Sequence, residues 1–183
     1  MQIIKQLVQI SLRKREPQDL EYSLQAAILL AMSIVFLRYI SFLSMTSLSN
    51  PFGYSLVSII GESLAIFALL RSQNKTGRFV QTITALFGIT VIATMVSVIM
   101  SITVILQLAL PFLLVWSIYI MVLILRSALD STMIGSVMLT IGYNAIGYLV
   151  VILLFPSFQA EMLIEWETIK TSIESAQAAA QTK

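Results

Sequence analysis

Residues 83–125, ITALFGITVIATMVSVIMSITVILQLALPFLLVWSIYIMVLIL, decide the fold class of this chain. As a single helix this uncharged stretch would be about 65 Å long at 1.5 Å per residue. That length is roughly twice the thickness of the hydrocarbon core of a bilayer, about 30 Å. Gln107 interrupts the stretch near its middle, and Pro111 lies where a new helix would begin, because proline is favoured at the first position of a helix. The stretch therefore predicts two membrane-spanning helices joined by a tight turn near Gln107–Leu108.

Three further apolar runs flank this stretch. Most of the runs approach or exceed the roughly 20 residues that a helix needs to cross a bilayer, and none alternates as the strands of a membrane barrel do. The sequence thus predicts an all-α, polytopic membrane bundle with five transmembrane helices. The five predicted spans are Tyr22–Leu43, Phe52–Leu70, Ile83–Leu106, Ala109–Leu125 and Met133–Phe155.

Basic residues gather in every second gap between the predicted spans. Residues 71–78 carry three of them between the second and third spans, and Arg126 lies with Asp130 between the fourth and fifth. The positive-inside rule therefore places the N-terminus in the cytoplasm and the C-terminus outside. Asp130 and Ser131 are also candidates to cap the start of the fifth span.

The N-terminal segment, residues 1–21, is predicted to be amphipathic and interfacial. One helical face carries only apolar side chains, and the other carries polar and basic ones, as in helices that lie under a membrane leaflet. A frayed tail is the alternative. The apolar face consists of Ile3, Ile4, Leu7 and Val8.

A second amphipathic helix is predicted beyond the transmembrane domain of residues 22–155. Within residues 156–183, apolar side chains recur at three- and four-residue spacing opposite several glutamates. This extracytoplasmic helix either docks on another protein or prolongs the fifth span. Its candidate partner-docking residues are Met162, Trp166, Ile169 and Ile173.

The composition excludes several kinds of chemistry. The chain has no histidine and no cysteine, so it lacks an imidazole base, a thiolate, the usual haem ligands and a soft-metal site. It has no glycine-rich phosphate-binding loop either. A net charge of +2 is too small to indicate nucleic acid, and anionic lipid accounts for the juxtamembrane basic residues. We therefore expect no catalytic residue, no cofactor and no metal, and a protein that is not an enzyme.

Three polar residues inside the predicted spans are candidates for intramembrane contacts. Arg38 and Glu62 are charged, and charged residues inside a bilayer are costly. They could pair within the bundle, contact a partner subunit, or line a proton or substrate path. Arg38 could also snorkel outward, and a contact with Glu62 would require its side chain to bend inward by most of its length. Asn144, between Gly142 and Gly147, is interpreted as a helix-packing residue rather than a ligand site.

The chain resembles the Yip family of Ypt-interacting-protein-like membrane proteins, including its bacterial branch, over residues 10–155. The resemblance rests on the basic segment Leu12–Pro17, the entry to span three at Gly77–Gly88, a tryptophan in span four, and the exit Leu125–Leu129. It implies five spans, an N-terminus inside, no enzyme activity and no agreed catalytic residues, in a family whose members are mostly membrane adaptors or of unknown role. The acidic-Leu-Gly-Pro signature of eukaryotic members is missing, which weighs against a Rab GTPase or vesicle-trafficking role.

Three hypotheses of function follow. The first is a scaffold, assembly factor or accessory subunit of a larger membrane complex, whose partners are membrane lipids and other membrane subunits or further copies of itself. The alternative is a small proton- or cation-coupled transporter or channel acting as an oligomer, with Glu62 as the ion site and Arg38 as its counter-charge. An intramembrane enzyme of lipid metabolism has the least support, since acid–base groups are few. The expected location is the bacterial cytoplasmic (inner) membrane.

Overall fold

A computed structural model describes residues 9, 10, 20, 22–43, 48–100 and 108–181 of the chain. These residues are almost entirely helical, and no strand occurs among them. A short 3₁₀ turn at Thr76–Arg78 leads into the third helix. The α-helices are α1 (Leu24–Leu43), α2 (Pro51–Ser72), α3 (Phe79–Met100), α4 (Leu110–Leu129), α5 (Met133–Leu154) and α6 (Ser157–Gln181).

Helices α1 to α5 are each long and apolar enough to cross a membrane. The prediction of an all-α fold with five such helices is confirmed for the part of the chain described above. Leu108 forms part of a turn before α4, and Pro111 lies in the first turn of that helix. The predicted turn residue Gln107 and the apolar face predicted for the N-terminal segment lie outside the described residues.

Capping residues fix where two of the helices begin. The Asn50 side chain accepts a hydrogen bond from the Gly53 amide at 3.0 Å, and Pro51 occupies the first position of α2. At the start of α5 the capping side chain is Thr132, which accepts from the Gly135 amide at 3.2 Å. The prediction of Asp130 or Ser131 as this cap was therefore wrong.

Helices α1 to α5 pack in a closed ring in the order α1, α2, α5, α4, α3, with α3 returning to α1. The ring has two ends, the Asp130 end and the Glu161 end, each called after a residue that lies there. The Asp130 end is where α2 and α4 finish and α3 and α5 begin. The Glu161 end is where α1 and α5 finish and α2 and α6 begin.

The core lies between the helices, and the outer surface of the ring is apolar as well. Leu86 and Leu125 are among the fully buried side chains, whereas Phe112 is 78% exposed. Monomeric soluble proteins rarely expose such extensive apolar surface, while hydrocarbon would solvate it without penalty. The exterior therefore agrees with a bundle surrounded by lipid.

Candidate functional site

The two charged residues of the first two helices form an ion pair inside the bundle. Arg38 comes from α1 and Glu62 from α2. The Arg38 Nη1 atom lies 2.7 Å from Glu62 Oε1, and Nη2 lies 3.3 Å from Oε2. Both carboxylate oxygens are thus engaged by one guanidinium group, the arrangement in which arginine binds carboxylates most strongly.

Two hydroxyl groups complete the set of partners around Glu62. Ser58 accepts a hydrogen bond from Arg38 Nη1 and donates one to Glu62 Oε1 at 3.1 Å. Tyr143 of α5 donates from its hydroxyl to Glu62 Oε2 at 3.1 Å. The carboxylate therefore accepts hydrogen bonds from three helices while its residue is only 4% exposed. These four residues are called the Glu62 cluster below.

The Glu62 cluster depends on the spacing of two of its residues along α2 and on two glycines between α2 and α5. Ser58 and Glu62 are four residues apart, so they lie on one face of α2. Gly147 of α5 lies directly against the carboxylate, because a Cβ atom added there would be 2.8 Å from Glu62 Oε1. A Cβ added at Gly61 of α2 would likewise approach Val150 of α5 to 3.1 Å. Glycine at these two positions lets α2 and α5 pack closely around the cluster.

The cluster compensates its own charges. Removing one partner of a buried ion pair costs about 3–5 kcal/mol, because it leaves the other charge buried without compensation. Here one carboxylate is matched by one guanidinium, and hydroxyl donors fill the remaining acceptor positions. No group of His, Cys, Asp or Glu suited to a metal ion occurs among the described residues. The arrangement can join α1, α2 and α5.

The structure answers the questions raised by the sequence for Arg38 and Asn144. Along the helices, Arg38 lies about 8 Å from the Glu161 end of α1, and Glu62 lies about 17 Å from the same end of α2. The arginine side chain bridges this difference by pointing inward, rather than snorkelling outward. Asn144 does not join the cluster. Its side-chain amide donates to the Thr140 carbonyl oxygen of its own helix at 2.8 Å.

Three contributors to the cluster were missed at the sequence level. Tyr143 and Ser58 supply hydroxyls, and Gly147 supplies the close approach. The four-residue spacing of Ser58 and Glu62 was a usable signal for the serine. No local signal identifies Tyr143, because it depends on α5 packing beside α2, two helices that are not consecutive in the chain.

A small cavity lies beside the cluster, toward the Glu161 end. Its volume is about 160 Å³. Four aromatic side chains, one aliphatic side chain and three polar ones line it, and the polar set includes the guanidinium of the ion pair. The lining residues are Arg38, Ser41, Phe42, Tyr54, Ser58, Tyr148, Val151 and Phe158.

Glu161 fastens the start of α6 to the ring. Its carboxylate accepts hydrogen bonds from the Ser49 amide at 3.1 Å, the Ser49 hydroxyl at 2.7 Å and the Tyr54 hydroxyl at 2.7 Å. Partial loss of hydration acts to raise the pKa of Glu161, but the hydrogen bonds from Ser49 and Tyr54 outweigh it and hold that pKa below its usual range. Phe158 adds an edge-to-face contact with Tyr54, with ring centroids 4.7 Å apart.

The predicted docking residues of α6 have different surroundings. Met162 is partly buried against the aromatic cluster of Tyr54 and Phe158, so the structure uses it to hold α6 on the ring. Trp166 is 63% exposed. The side chains of Ile169 and Ile173 lie outside the described part of the chain. Two apolar residues that the sequence analysis did not select, Leu163 and Ile164, are also exposed.

At the Asp130 end, two basic side chains bind the last turn of α4. Lys75 Nζ lies 2.6 Å from Asp130 Oδ2 and 2.7 Å from the Leu129 carbonyl oxygen. Arg78 Nη1 lies 3.3 Å from the same carboxylate and from the carbonyl of Ala128. Cations are favourable at the negative end of a helix dipole. The hydrogen bond from Lys75, with the charges of both cations, lowers the pKa of the exposed Asp130 carboxyl.

Comparisons with protein-family models, with curated proteins and with solved structures find no match to this chain. The resemblance to the Yip family stays a prediction.

Proposed function

We propose that this chain is a non-enzymatic integral membrane protein that acts as a scaffold, assembly factor or accessory subunit of a larger membrane complex. The proposal rests on α6, whose first turns are held on the ring while apolar side chains just beyond them are exposed. Glu161 and Phe158 fix its first turns to the ring, while Leu163, Ile164 and Trp166 stand exposed just beyond them. A helix that is held in place and presents apolar side chains is a common surface for binding another protein.

The acidic character of α6 favours a protein partner over a lipid surface. The helix carries Glu161, Glu165, Glu167 and Glu174 against a single Lys170. Helices that lie on anionic membranes carry basic residues on their polar face. We infer that the exposed part of α6 binds a foreign membrane subunit at the Glu161 end of the bundle.

The proposed orientation has the N-terminus in the cytoplasm and α6 outside, in a bacterial cytoplasmic membrane. Its support is the charge distribution. Four basic residues lie at the Asp130 end. Far fewer basic residues lie where the helices begin or end at the Glu161 end. Positive charge collects on the cytoplasmic side of membrane proteins. The four residues are Arg71, Lys75, Arg78 and Arg126.

Recovery of the tagged full chain from native membranes in mild detergent tests this function. Leu163→Gln with Trp166→Gln alters the exposed apolar face, and Lys170→Gln is the matched control on the same helix. We expect a stoichiometric foreign subunit with the wild-type chain and the control, and its loss with the double variant at unchanged abundance of the chain. Equal recovery from all three, or recovery of this chain alone, would contradict the proposal.

The transport alternative has one supporting observation, the cavity beside the Glu62 cluster. That cavity is lined by Arg38 and Ser58 but not by Glu62, the residue that would carry the ion. Glu62 also has its acceptor positions occupied by partners within the bundle. Abolished pH-dependent flux in liposomes for Glu62→Gln, with normal assembly, would favour transport over the scaffold.

A further inference from the structure

The guanidinium of Arg38 retains hydrogen-bonding capacity after it has bound Glu62. A guanidinium has five N–H donors in a fixed planar geometry. Nη1 donates to Ser58 and to Glu62, and Nη2 donates once to Glu62. The Nε–H group and the second Nη2–H group have no partner among the described residues. These two donors lie on one edge of the guanidinium and form a fork of the kind that binds phosphate oxygens.

The cavity described above lies beside this guanidinium, and two of its lining residues are exposed. Ser41 of α1 and Tyr148 of α5 line it and are themselves exposed, so the cavity can be reached past these two side chains. Because the cavity lies toward the Glu161 end, in a bilayer it lies near one membrane surface, where lipid headgroups are. Drug-sized ligand pockets measure about 300–1,000 Å³, so a cavity of about 160 Å³ has room for a headgroup but not for a larger molecule.

The charges around the cavity disfavour a simple anion. Arg38 is matched by Glu62, and Glu161 adds a negative charge where its carboxylate meets the Tyr54 hydroxyl at 2.7 Å. The net charge around the cavity is therefore negative, and it disfavours a phosphate-containing ligand unless that ligand also carries a positive charge. The aromatic walls suit such a charge, because ammonium groups are attracted to the faces of aromatic rings.

We propose that this cavity binds the headgroup of a zwitterionic phospholipid, a phosphate ester that carries an ammonium group. The phosphate binds the free edge of Arg38. The ammonium lies among the rings of Tyr54 and Tyr148, toward Glu161 and the membrane surface. This order, with the phosphate deeper than the ammonium, follows the order of charges along the cavity, from Arg38 inside the bundle to Glu161 at its end.

Native mass spectrometry of the delipidated full chain tests the site with four probes. They are phosphatidylethanolamine, phosphatidylglycerol, diacylglycerol and free phosphoethanolamine. We expect one bound phosphatidylethanolamine, held roughly tenfold more tightly than phosphatidylglycerol, because only the former supplies the ammonium contact. Equal retention of phosphatidylglycerol or diacylglycerol would overturn the proposed chemistry. Binding of free phosphoethanolamine as tight as that of the lipid would overturn the lipid as its source.

A matched pair of substitutions locates the binding. Ser41 and Ser33 lie on α1, both are exposed, and each hydroxyl donates to the carbonyl four residues before it. Only Ser41 lines the cavity. Ser41→Phe should fill the cavity and abolish phosphatidylethanolamine retention, while Ser33→Phe should retain the wild-type level. The same retention in both variants would overturn the assignment.

Two further variants keep the test decisive if Ser41→Phe fails to fold. Arg38→Lys preserves the charge opposite Glu62 but removes the forked edge, so retention should fall roughly tenfold. Tyr148→Leu removes an exposed ring that makes no hydrogen bond with Arg38 or Glu62 in the described part of the chain, and it should weaken phosphatidylethanolamine binding but not phosphatidylglycerol binding. Wild-type retention in both variants would overturn the proposed site.

Discussion

Gly147→Ala tests how closely α5 approaches the Glu62 carboxylate. The new Cβ atom would lie 2.8 Å from Glu62 Oε1 and 2.9 Å from its Cγ, distances that real Cβ atoms essentially never show. Glu62 cannot move aside freely, because Arg38, Ser58 and Tyr143 hold its carboxylate. Either the helices separate or the hydrogen bonds lengthen.

The expected cost follows from these two responses. Overpacking a well-filled interior destabilises by about 1–3 kcal/mol, and complete loss of a buried pair costs about 3–5 kcal/mol. Replacing glycine by alanine within a helix stabilises the helix by about 1 kcal/mol, because alanine has the higher helix propensity. We therefore expect a net loss of about 0–2 kcal/mol in the free energy of unfolding if the helices separate, and of about 2–4 kcal/mol if the pair is lost.

Gly142→Ala provides the matched control on the same helix. Apart from its chain neighbours and the nearby backbone of its own helix, a Cβ atom added at Gly142 would have no heavy atom within 4 Å, so this variant should be as stable as the wild type or slightly more so. Reversible unfolding in mixed detergent micelles, with increasing sodium dodecyl sulfate, measures both variants. Equal stability of Gly147→Ala and Gly142→Ala would refute the close packing of α5 on Glu62.

Three further predictions concern charge and orientation. Arg38→Gln and Glu62→Gln should each destabilise by about 3 kcal/mol, and the double variant by less than the sum; strict additivity in a double-mutant cycle would contradict the ion pair. Because hydrogen bonds lower the pKa of Glu161 when the chain is folded, its contribution to stability is complete above about pH 4.3 and is lost as the pH falls through the folded value. The difference in melting temperature between the wild type and Glu161→Gln should therefore vanish in acid. A difference that grows in acid would contradict a lowered pKa of Glu161 in the folded protein. In intact cells an impermeant maleimide should label Gln159→Cys and not Gln73→Cys, and the opposite pattern would invert the proposed orientation.

The helices could be predicted from the sequence because their signals are local. Length and hydropathy mark α1 to α5, and Pro111 marks the start of α4 without reference to the rest of the chain. The prediction of the residue that caps α5 was wrong because it depends on contacts with residues distant in the sequence. Asp130 takes a left-handed conformation with a φ angle of 51° at the end of α4, where Lys75 and Arg78 bind it, so Thr132 serves as the cap.

The arrangement of the candidate site was only partly accessible. Arg38 and Glu62 could be selected because charge within an apolar run is conspicuous in any sequence. Their contact depends on the direction of a long side chain, and the contribution of Tyr143 depends on which helices are neighbours. Neither property has a local sequence signal. The close approach at Gly147 is likewise visible only when α5 lies against α2.

Photo-crosslinking from α6 in native membranes tests the central claim most directly. A benzophenone amino acid at Trp166 samples the exposed face of α6, and the same group at Ile134, which is 75% exposed on α5, serves as the control. The scaffold account predicts one discrete adduct with a foreign protein from position 166 and none from position 134. Adducts only with this chain itself, or the same foreign adduct from both positions, would contradict it.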